Sequence, residues 1–160
     1  MYRIGFGFDT HKLELTRDFW LGGLLIPSAK GAVGHSDADV LLHAICDALL
    51  GASGLRDIGT QFPDTDPQYK GIDSKILLTK VYDLITENHF EIVNLDTTLC
   101  LEMPKLSPFV PEIQQSISAL LHILPGQVSI KAKTSEKLGF IGREEGVSAY
   151  CVVLLAIKNN

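Results

Sequence analysis

Asp9 and His11 have side chains whose types and spacing suit metal binding. They stand two positions apart, directly after an alternating apolar stretch. In an extended backbone, residues i and i+2 point to the same side. Their oxygen and nitrogen donors could therefore meet at one ion, each at the roughly 2.0–2.2 Å that zinc requires. Asp-Thr-His at a strand end is also an ordinary turn sequence, so the spacing alone leaves both interpretations open.

His43 is a third candidate ligand. The sequence predicts it on a helix, with Asp39 and Asp47 four residues to either side and on the same face. A carboxylate beside a histidine fixes its tautomer, which is typical around metal-bound imidazoles. Three protein ligands would leave zinc an open position, as in catalytic sites. A single helical histidine can equally be an ordinary core or surface residue.

His35 and Ser36 precede the same predicted helix, near its positive end. Backbone N–H groups at such a position can bind phosphate. Ser36 is also predicted to cap the helix, with Asp39 three residues later completing a pair similar to a capping box. A plain cap and a phosphate contact are compatible roles for Ser36.

Two further segments carry polar groups that could do chemistry. Asp57-Ile58-Gly59 leads into residues 62–66, which could equally form a turn without function. Residues 131–146 contain the one concentration of basic residues, together with Thr, Ser and Gly, which suit phosphate recognition. Within it, Glu136 is either a surface ion-pair partner or a ligand for a hard cation that bridges phosphates.

The elements that must position these residues alternate between strands and helices. Gly5 and Gly7 inside the first strand indicate that another element approaches its backbone closely. Gly51 is predicted to end the first helix, and Val93, Leu95 and Thr97 are predicted to share one face of a later strand. The pattern predicts an α+β fold, a two-layer sandwich with one mixed sheet and helices on one face. The predicted strands cover 3–8, 91–101, 128–133 and 147–157, a hairpin covers 19–26, and the helices cover 37–50, 74–88 and 108–121.

Length and composition predict an ordinary globular protein. The 160 residues predict one domain over 1–160. A net charge of −5 argues against nucleic-acid binding, which needs a basic surface. No stretch reaches the roughly 20 apolar residues of a membrane span, and the N-terminus lacks a leader pattern, so we expect a cytoplasmic protein. Cys46, Cys100 and Cys151 are expected to be reduced thiols in apolar surroundings.

Four segments closely resemble the 2-C-methyl-D-erythritol 2,4-cyclodiphosphate synthase family. They are residues 5–11, 35–44, 57–66 and 131–146, and the resemblance extends over nearly the whole chain. It implies conversion of 4-diphosphocytidyl-2-C-methyl-D-erythritol 2-phosphate to the cyclic diphosphate with release of CMP. This is a phosphorus–oxygen lyase reaction of non-mevalonate isoprenoid biosynthesis. The resemblance also implies a homotrimer that packs its sheets around a central axis, with active sites between subunits.

The resemblance assigns roles to individual residues. It implies that Asp9, His11 and His43 bind zinc and that Glu136 holds magnesium or manganese. His35 and Thr134 would be catalytic, orienting the attacking phosphate and the α-phosphate. Isoprenoid phosphates would occupy a central cavity near Phe8, Arg143 and Glu145. The implied substrate-binding residues are Asp9, His11, His35, Ser36, Asp57, Ile58, Gly59, Phe62, Pro63, Asp64, Thr65, Asp66, Lys105, Leu106, Ala132, Lys133, Thr134, Glu136, Phe140 and Arg143.

Two other functions use the same residues. A zinc-dependent phosphohydrolase would need the same ligand set, with water as the attacking group. A trimeric, metal-stabilised module that binds isoprenoid phosphates without turnover is the non-catalytic alternative. The product separates all three, since only the synthase forms a cyclic diphosphate together with CMP.

Overall fold

A five-stranded mixed sheet forms one layer of the computed structural model, which describes residues 1–63, 65–69 and 71–158. In spatial order its strands are β4, β1, β7, β5 and β6. Only β5 and β6 pair in parallel. A separate hairpin of two short strands, β2 and β3, turns at Gly22-Gly23 as predicted. The bounds are β1 Tyr2–Leu15, β2 Trp20–Leu21, β3 Leu24–Leu25, β4 Lys30–Val33, β5 Phe90–Cys100, β6 Val128–Lys133 and β7 Gly146–Ile157.

Helices form the second layer. The three long ones are α1 (Val40–Ser53), α3 (Ser74–Glu87) and α4 (Val110–Leu120). Two single-turn helices, α2 (Ile58–Gln61) and α5 (Gly139–Gly142), interrupt the segments that were predicted to be loops. The predicted α+β architecture of a mixed sheet and helices is confirmed.

Close contact between β1 and α1 brings the two layers together at the site. A Cβ atom at Gly7 would lie 1.9 Å from the carbonyl oxygen of Ala44, and one at Gly5 would lie 1.9 Å from that of Ala48. Side chains at these two positions would push α1 away from the sheet. The register pairs Gly7 with Cys151, which is buried. The glycines therefore belong to the face that α1 covers.

The opposite face of β1 and β7 is apolar and exposed. Ile4 is 75% exposed, Phe6 61% and Phe8 47%, and the neighbouring Tyr150 and Val152 on β7 are also exposed. The Phe8 and Tyr150 rings pack with centroids 5.0 Å apart. A contiguous apolar patch of this kind is unusual on a monomer and marks an interaction surface.

The predicted ends of the first helix are wrong. The N-cap is Asp39, whose carboxylate accepts the Leu42 N–H at 3.0 Å, so α1 begins at Val40 and Ser36 is not the cap. At the other end α1 passes Gly51 and ends at Ser53, where Gly54 takes the left-handed conformation with φ 76°. A glycine lowers helix propensity but ends a helix only where the chain needs that positive φ.

The first and last strands are longer than predicted, and β5 contains an irregularity. β1 continues from the predicted end at residue 8 through Leu15, so it includes Asp9 and His11. A register shift between Ile92 and Asn94 changes the alternation, so Ile92 is buried and Val93 is not. A bulge of this kind leaves little signal in a sequence pattern of period two.

Cys46 and Cys151 are buried and Cys100 is half-buried, and all three are free, as expected. Burial raises the pKa of the Cys151 thiol to about 12, which makes it inert. Within the described residues no helix is long and apolar enough to cross a bilayer.

Candidate metal centre and substrate pocket

Asp9, His11 and His43 converge at the boundary between the two layers. Asp9 and His11 leave β1 on one side, and α1 brings His43 to meet them because Gly7 allows its close approach. Asp9 Oδ2 lies 2.9 Å from His43 Nδ1 and 3.0 Å from His11 Nε2, and the two histidine nitrogens are 3.1 Å apart. The three residues predicted as zinc ligands thus form one half-buried cluster.

The cluster fits a tetrahedral metal ion. Ligand atoms at zinc distances in tetrahedral geometry lie about 3.3 Å from one another. The observed separations of 2.9 to 3.1 Å need an expansion of only a few tenths of an ångström. One carboxylate oxygen and two imidazole nitrogens are donors that zinc accepts, and three ligands leave a position for substrate.

Charge in the cluster also favours a cation. Burial opposes ionisation of Asp9, but hydrogen bonds to His11 and His43 outweigh it and hold the pKa of Asp9 well below its usual range. Burial likewise disfavours a charged His43, but its hydrogen bond to Asp9 outweighs this and raises the pKa of His43, so a metal ion must displace a proton from that imidazole. A carboxylate that stays ionised between two imidazoles is ready to bind metal.

The other nitrogen of His43 has partners that sequence analysis did not identify. Its Nε2 lies 3.0 Å from Ser36 Oγ and 2.9 Å from Ser74 Oγ. Ser74 is the first residue of α3 and fully buried. It is 31 residues from His43 in the chain, and no local spacing signals the contact.

Asp39 and Asp47 lie near His43 as predicted, but among the described residues neither carboxylate hydrogen-bonds to its imidazole. The buried Asp39 carboxylate accepts the N–H groups of Gly22 and Gly23 at 3.0 and 2.7 Å, which ties the β2–β3 turn to the start of α1. Asp47 accepts the N–H of Ile58 at 2.8 Å. Both carboxylates accept hydrogen bonds from backbone N–H groups. The i±4 spacing of a helix does not predict these contacts.

A cavity of about 330 Å³ opens beside the cluster. It contains six of the predicted substrate-binding residues, which are His11, His35, Ser36, Ile58, Gly59 and Phe62. Sequence analysis missed Tyr69, Ile72 and Leu77, which complete an apolar wall. The residues lining the cavity are His11, His35, Ser36, His43, Ile58, Gly59, Phe62, Tyr69, Ile72 and Leu77.

Other predicted residues lie around the cavity without lining it. The Asp57 carboxylate caps α2 by accepting the Thr60 N–H at 2.7 Å, and the hydrogen bonds from Thr60 lower its pKa. Pro63 accepts the N–H of Asp66 in the loop that includes Thr65. Asp64 lies outside the described residues.

A second, smaller cavity of about 170 Å³ contains Lys105, Leu106, Ala132, Lys133 and Thr134, which were all predicted to contact the cytidine side. Among the residues described, the two cavities share no lining residue. The described part of the chain therefore presents two separate cavities.

Glu136 adjoins the second cavity through Thr134. It accepts a hydrogen bond of 2.9 Å from the Thr134 hydroxyl, so its carboxylate and that hydroxyl point to the same place. Phe140 lies on α5, and Arg143 follows it and pairs with Glu145 at 2.9 Å. These exposed side chains surround the turn that carries Glu136.

A mixed sheet backed by helices, with an Asp/His/His cluster that could hold a metal ion beside an open cavity, is typical of a metal-dependent α/β enzyme. The chain belongs to the YgbB family, whose family model matches residues 2–156. It is 55% identical over 154 residues to a Porphyromonas gingivalis protein named 2-C-methyl-D-erythritol 2,4-cyclodiphosphate synthase, with 96% of this chain and 95% of that protein covered. A Bacteroides fragilis protein of the same name is 56% identical over 153 residues, with 96% of both chains covered.

Solved structures show the same similarity. The bifunctional IspDF from Campylobacter jejuni superimposes with a TM-score of 0.95 at 40% identity, over 99% of this chain and 43% of that longer one. A 2C-methyl-D-erythritol-2,4-cyclodiphosphate synthase in its CDP-bound form gives a TM-score of 0.90 at 42% identity, over 96% and 100% of the two chains. The family resemblance read from the sequence motifs is confirmed.

Proposed function

We propose that this chain is a cyclodiphosphate synthase that converts 4-diphosphocytidyl-2-C-methyl-D-erythritol 2-phosphate to 2-C-methyl-D-erythritol 2,4-cyclodiphosphate and CMP. The observation that carries the proposal is the Asp9, His11 and His43 cluster opening onto the cavity with His35 and Ser36. Relatives of more than half identity bear the synthase name. The reaction is a phosphorus–oxygen lyase reaction of non-mevalonate isoprenoid biosynthesis, and residues 1–160 act as one catalytic domain.

In this reaction an oxygen of the 2-phosphate forms a bond to the β-phosphorus. The bond from that phosphorus to the bridging oxygen breaks, and CMP leaves with the electron pair. Both reacting groups are anions at opposite ends of one molecule, so repulsion and orientation are the main obstacles. Zinc held by Asp9, His11 and His43, and magnesium or manganese held by Glu136, would neutralise the phosphate charges.

The chain's own residues supply the orientation. His35 and Ser36 line the cavity beside the cluster and orient the attacking 2-phosphate. Thr134 and Lys133 face the second cavity, where the Thr134 hydroxyl can donate to the α-phosphate. Ile58, Gly59 and the loop through Phe62 enclose the methylerythritol portion, and the apolar wall excludes water that would otherwise compete as nucleophile.

A homotrimer joins the two half-sites in this proposal. The zinc half of one subunit meets the nucleotide half of its neighbour, and the exposed faces of β1 and β7 pack around a central axis. The supporting observations are the separate cavities and the uncovered apolar face. Isoprenoid phosphates would enter the central cavity near Phe8, Arg143 and Glu145. The cytoplasmic location stays a prediction.

A phosphorus NMR assay with the diphosphocytidyl substrate tests the proposal. We expect signals of a cyclic diphosphate and CMP, their loss with a metal chelator, and their return on addition of zinc and magnesium. A ring-opened phosphate as product would instead identify a phosphohydrolase. Binding of isoprenoid phosphates without turnover above the metal-free background would identify a binding module, and either result would overturn the synthase function.

A further inference from the structure

Behind the metal cluster, the hydroxyl of Ser74 stands between His43 and the carboxylate of Asp37. Ser74 Oγ lies 2.9 Å from His43 Nε2, on the side of the ring opposite the cluster. The same hydroxyl donates to Asp37 Oδ1, and the Ser74 backbone N–H donates to Asp37 Oδ2 at 2.9 Å. The structure thus contains a chain of hydrogen bonds from His43 through Ser74 to Asp37.

Asp37, the last residue in this chain of hydrogen bonds, determines which group donates and which accepts at each step. An ionised carboxylate can only accept hydrogen bonds, so the single Ser74 hydroxyl proton is committed to Asp37. Ser74 Oγ then has only lone pairs to offer to His43. Ser36 Oγ also lies 3.0 Å from His43 Nε2 and 3.3 Å from Ser74 Oγ, and its proton can go to a free lone pair of Ser74. Both serine contacts are then satisfied when His43 Nε2 carries a proton and donates it, which leaves the Nδ1 lone pair facing Asp9 and His11.

The segments that contain Asp37 and Ser74 are also held together by backbone hydrogen bonds that do not involve the Ser74 hydroxyl. The N–H of Asp37 donates to the carbonyl of Ile72 at 3.2 Å, and the N–H of Gly71 donates to the carbonyl of His35 at 2.9 Å. Removal of the Ser74 hydroxyl therefore leaves these backbone contacts in place. Ser74 is fully buried, so water has no direct access to replace the lost oxygen.

We propose that Ser74 and Asp37 are positioning residues that fix His43 in its Nε2-protonated tautomer and thereby set the metal affinity of the cluster. The proposal rests on the metal centre of the proposed function and assigns roles to two residues that do not touch the metal or substrate. Partners of this kind typically change metal affinity by about 10- to 100-fold when they are removed.

The experiment measures zinc affinity directly, by competition with a chromophoric chelator, together with the tautomer of His43 from nitrogen NMR. Ser74→Ala should weaken zinc binding about 10- to 100-fold relative to the unaltered protein. Asp37→Asn should weaken it too, because an amide can donate to Ser74 and so free the hydroxyl proton to point at His43. Ser118→Ala is the matched control, since Ser118 is a buried helical serine whose hydroxyl donates to the Gln115 backbone carbonyl at 3.0 Å.

The NMR measurement separates positioning from general loosening of the structure. The zinc-bound protein should show a proton on His43 Nε2, and Asp37→Asn should shift that signal even where it leaves the unfolding curve unchanged. Unaltered zinc affinity in both variants, or a proton on Nδ1 in the zinc-bound protein, would overturn the positioning role alone. If the unaltered protein bound no zinc, the metal centre of the proposed function would fail, and the positioning role would fail with it.

Discussion

Two of the three side chains in the metal cluster, Asp9 and His43, have their remaining polar atoms engaged elsewhere, and Asp9 Oδ1 accepts the Thr10 N–H at 2.8 Å. His43 shows this best, since Nδ1 faces Asp9 and Nε2 faces Ser36 and Ser74. A ligand held on both sides of its ring loses little freedom when a metal binds. The cluster is therefore organised by hydrogen bonds before the metal arrives.

Replacement of His43 by alanine should remove zinc and keep the fold. α1 contributes ten buried residues to the core besides His43, so the helix does not depend on the imidazole. Metal analysis should find less than a tenth of the zinc of the unaltered protein, with a circular dichroism spectrum that is unchanged. His89→Asn, at an exposed left-handed position far from the cluster in sequence, is the control and should keep its zinc. Full zinc occupancy in His43→Ala would contradict the ligand assignment.

Glu136→Gln isolates the charge of the proposed second cation ligand. The amide oxygen can still accept the hydrogen bond from Thr134, so the turn is preserved while the negative charge is lost. A neutral amide binds a hard cation less well, so activity at limiting magnesium should fall by about tenfold or more while zinc content stays constant. Glu144→Gln is the control. If activity of both variants depends on magnesium in the same way, Glu136 is an ordinary surface residue.

The convergence of Asp9 and His11 could be predicted from residue type and spacing, because the i, i+2 geometry of a strand is local. Their assignment as zinc ligands together with His43 came from the family resemblance. The contact of His43 with Ser74 could not be predicted, since it depends on how α3 packs beside α1. Asp39 was assigned to the wrong partner for the same reason. The residue pattern of one helix does not show that backbone N–H groups of the β2–β3 hairpin donate to the Asp39 carboxylate.

At the scale of elements, the separation of β1 from α1 determines the shape of the metal cluster. Asp9 and His11 are on one of these elements and His43 is on the other. The strand meets the backbone of α1 itself at Gly5 and Gly7, and Gly7 is the nearer of the two to Asp9 in the chain. The sequence signal for this contact was two glycines inside a strand, which is one of the few long-range packing features that a sequence reveals.

Gly7→Ala should therefore loosen the metal site as well as the fold. The new Cβ would lie 1.9 Å from the Ala44 carbonyl oxygen, so the helix must shift outward. We expect a loss of about 1–3 kcal/mol in the free energy of unfolding, measured in urea, together with weaker zinc binding. Gly126→Ala has open space around its Cβ and should change neither quantity. Normal zinc affinity in a destabilised Gly7→Ala would show that the cluster tolerates a shift of α1.

The turn that carries Glu136 is held by Glu102. One carboxylate oxygen of Glu102 accepts the N–H groups of Ser135 and Lys137 at 3.0 and 3.1 Å and also the Ser135 hydroxyl. The hydrogen bond from the Lys137 N–H is the main cause that lowers the pKa of Glu102. Glu136 and Lys137 both adopt positive φ, a conformation that non-glycine residues keep only when their surroundings impose it.

Glu102→Ala should impair catalysis through this turn. Without the acceptor, Glu136 and Thr134 lose their fixed positions, and the magnesium concentration for half-maximal activity should rise severalfold. Glu102→Gln keeps an acceptor oxygen and should restore most of the magnesium response. If Glu102→Gln and Glu102→Ala raise the magnesium requirement equally, the charge of Glu102 matters and its hydrogen bonds do not.

At the scale of the whole molecule, one face of the sheet lacks the cover that a folded monomer normally provides. Ile4, Phe6 and Phe8 are more exposed than apolar side chains in the middle of a sheet usually are. The sequence predicted a sheet with helices on one face, and an uncovered second face follows from that architecture. The surface that covers this exposed face would belong to a second chain. The sequence of one chain therefore does not reveal it.

Mixed oligomers give a direct test of the proposed shared sites. His11→Ala disables the zinc half of a subunit, and Thr134→Ala combined with Lys105→Ala disables the nucleotide half. In a ring, each subunit contributes one half-site to each neighbour, so a homotrimer of either variant contains only damaged sites. After the two variants are unfolded, mixed and refolded together, some interfaces pair an intact zinc half with an intact nucleotide half.

Activity of the mixed sample should therefore rise to a measurable fraction of the unaltered enzyme, while each variant refolded alone stays nearly inactive. Differently tagged chains should co-purify, which establishes that mixed trimers have formed. The recovered activity depends on which chains are neighbours, so it should grow as the mixing ratio approaches equality and fall when either variant is in excess. Mixed trimers that remain as inactive as their parents would place both half-sites of each active site in one chain, and the two separate cavities would then need another explanation.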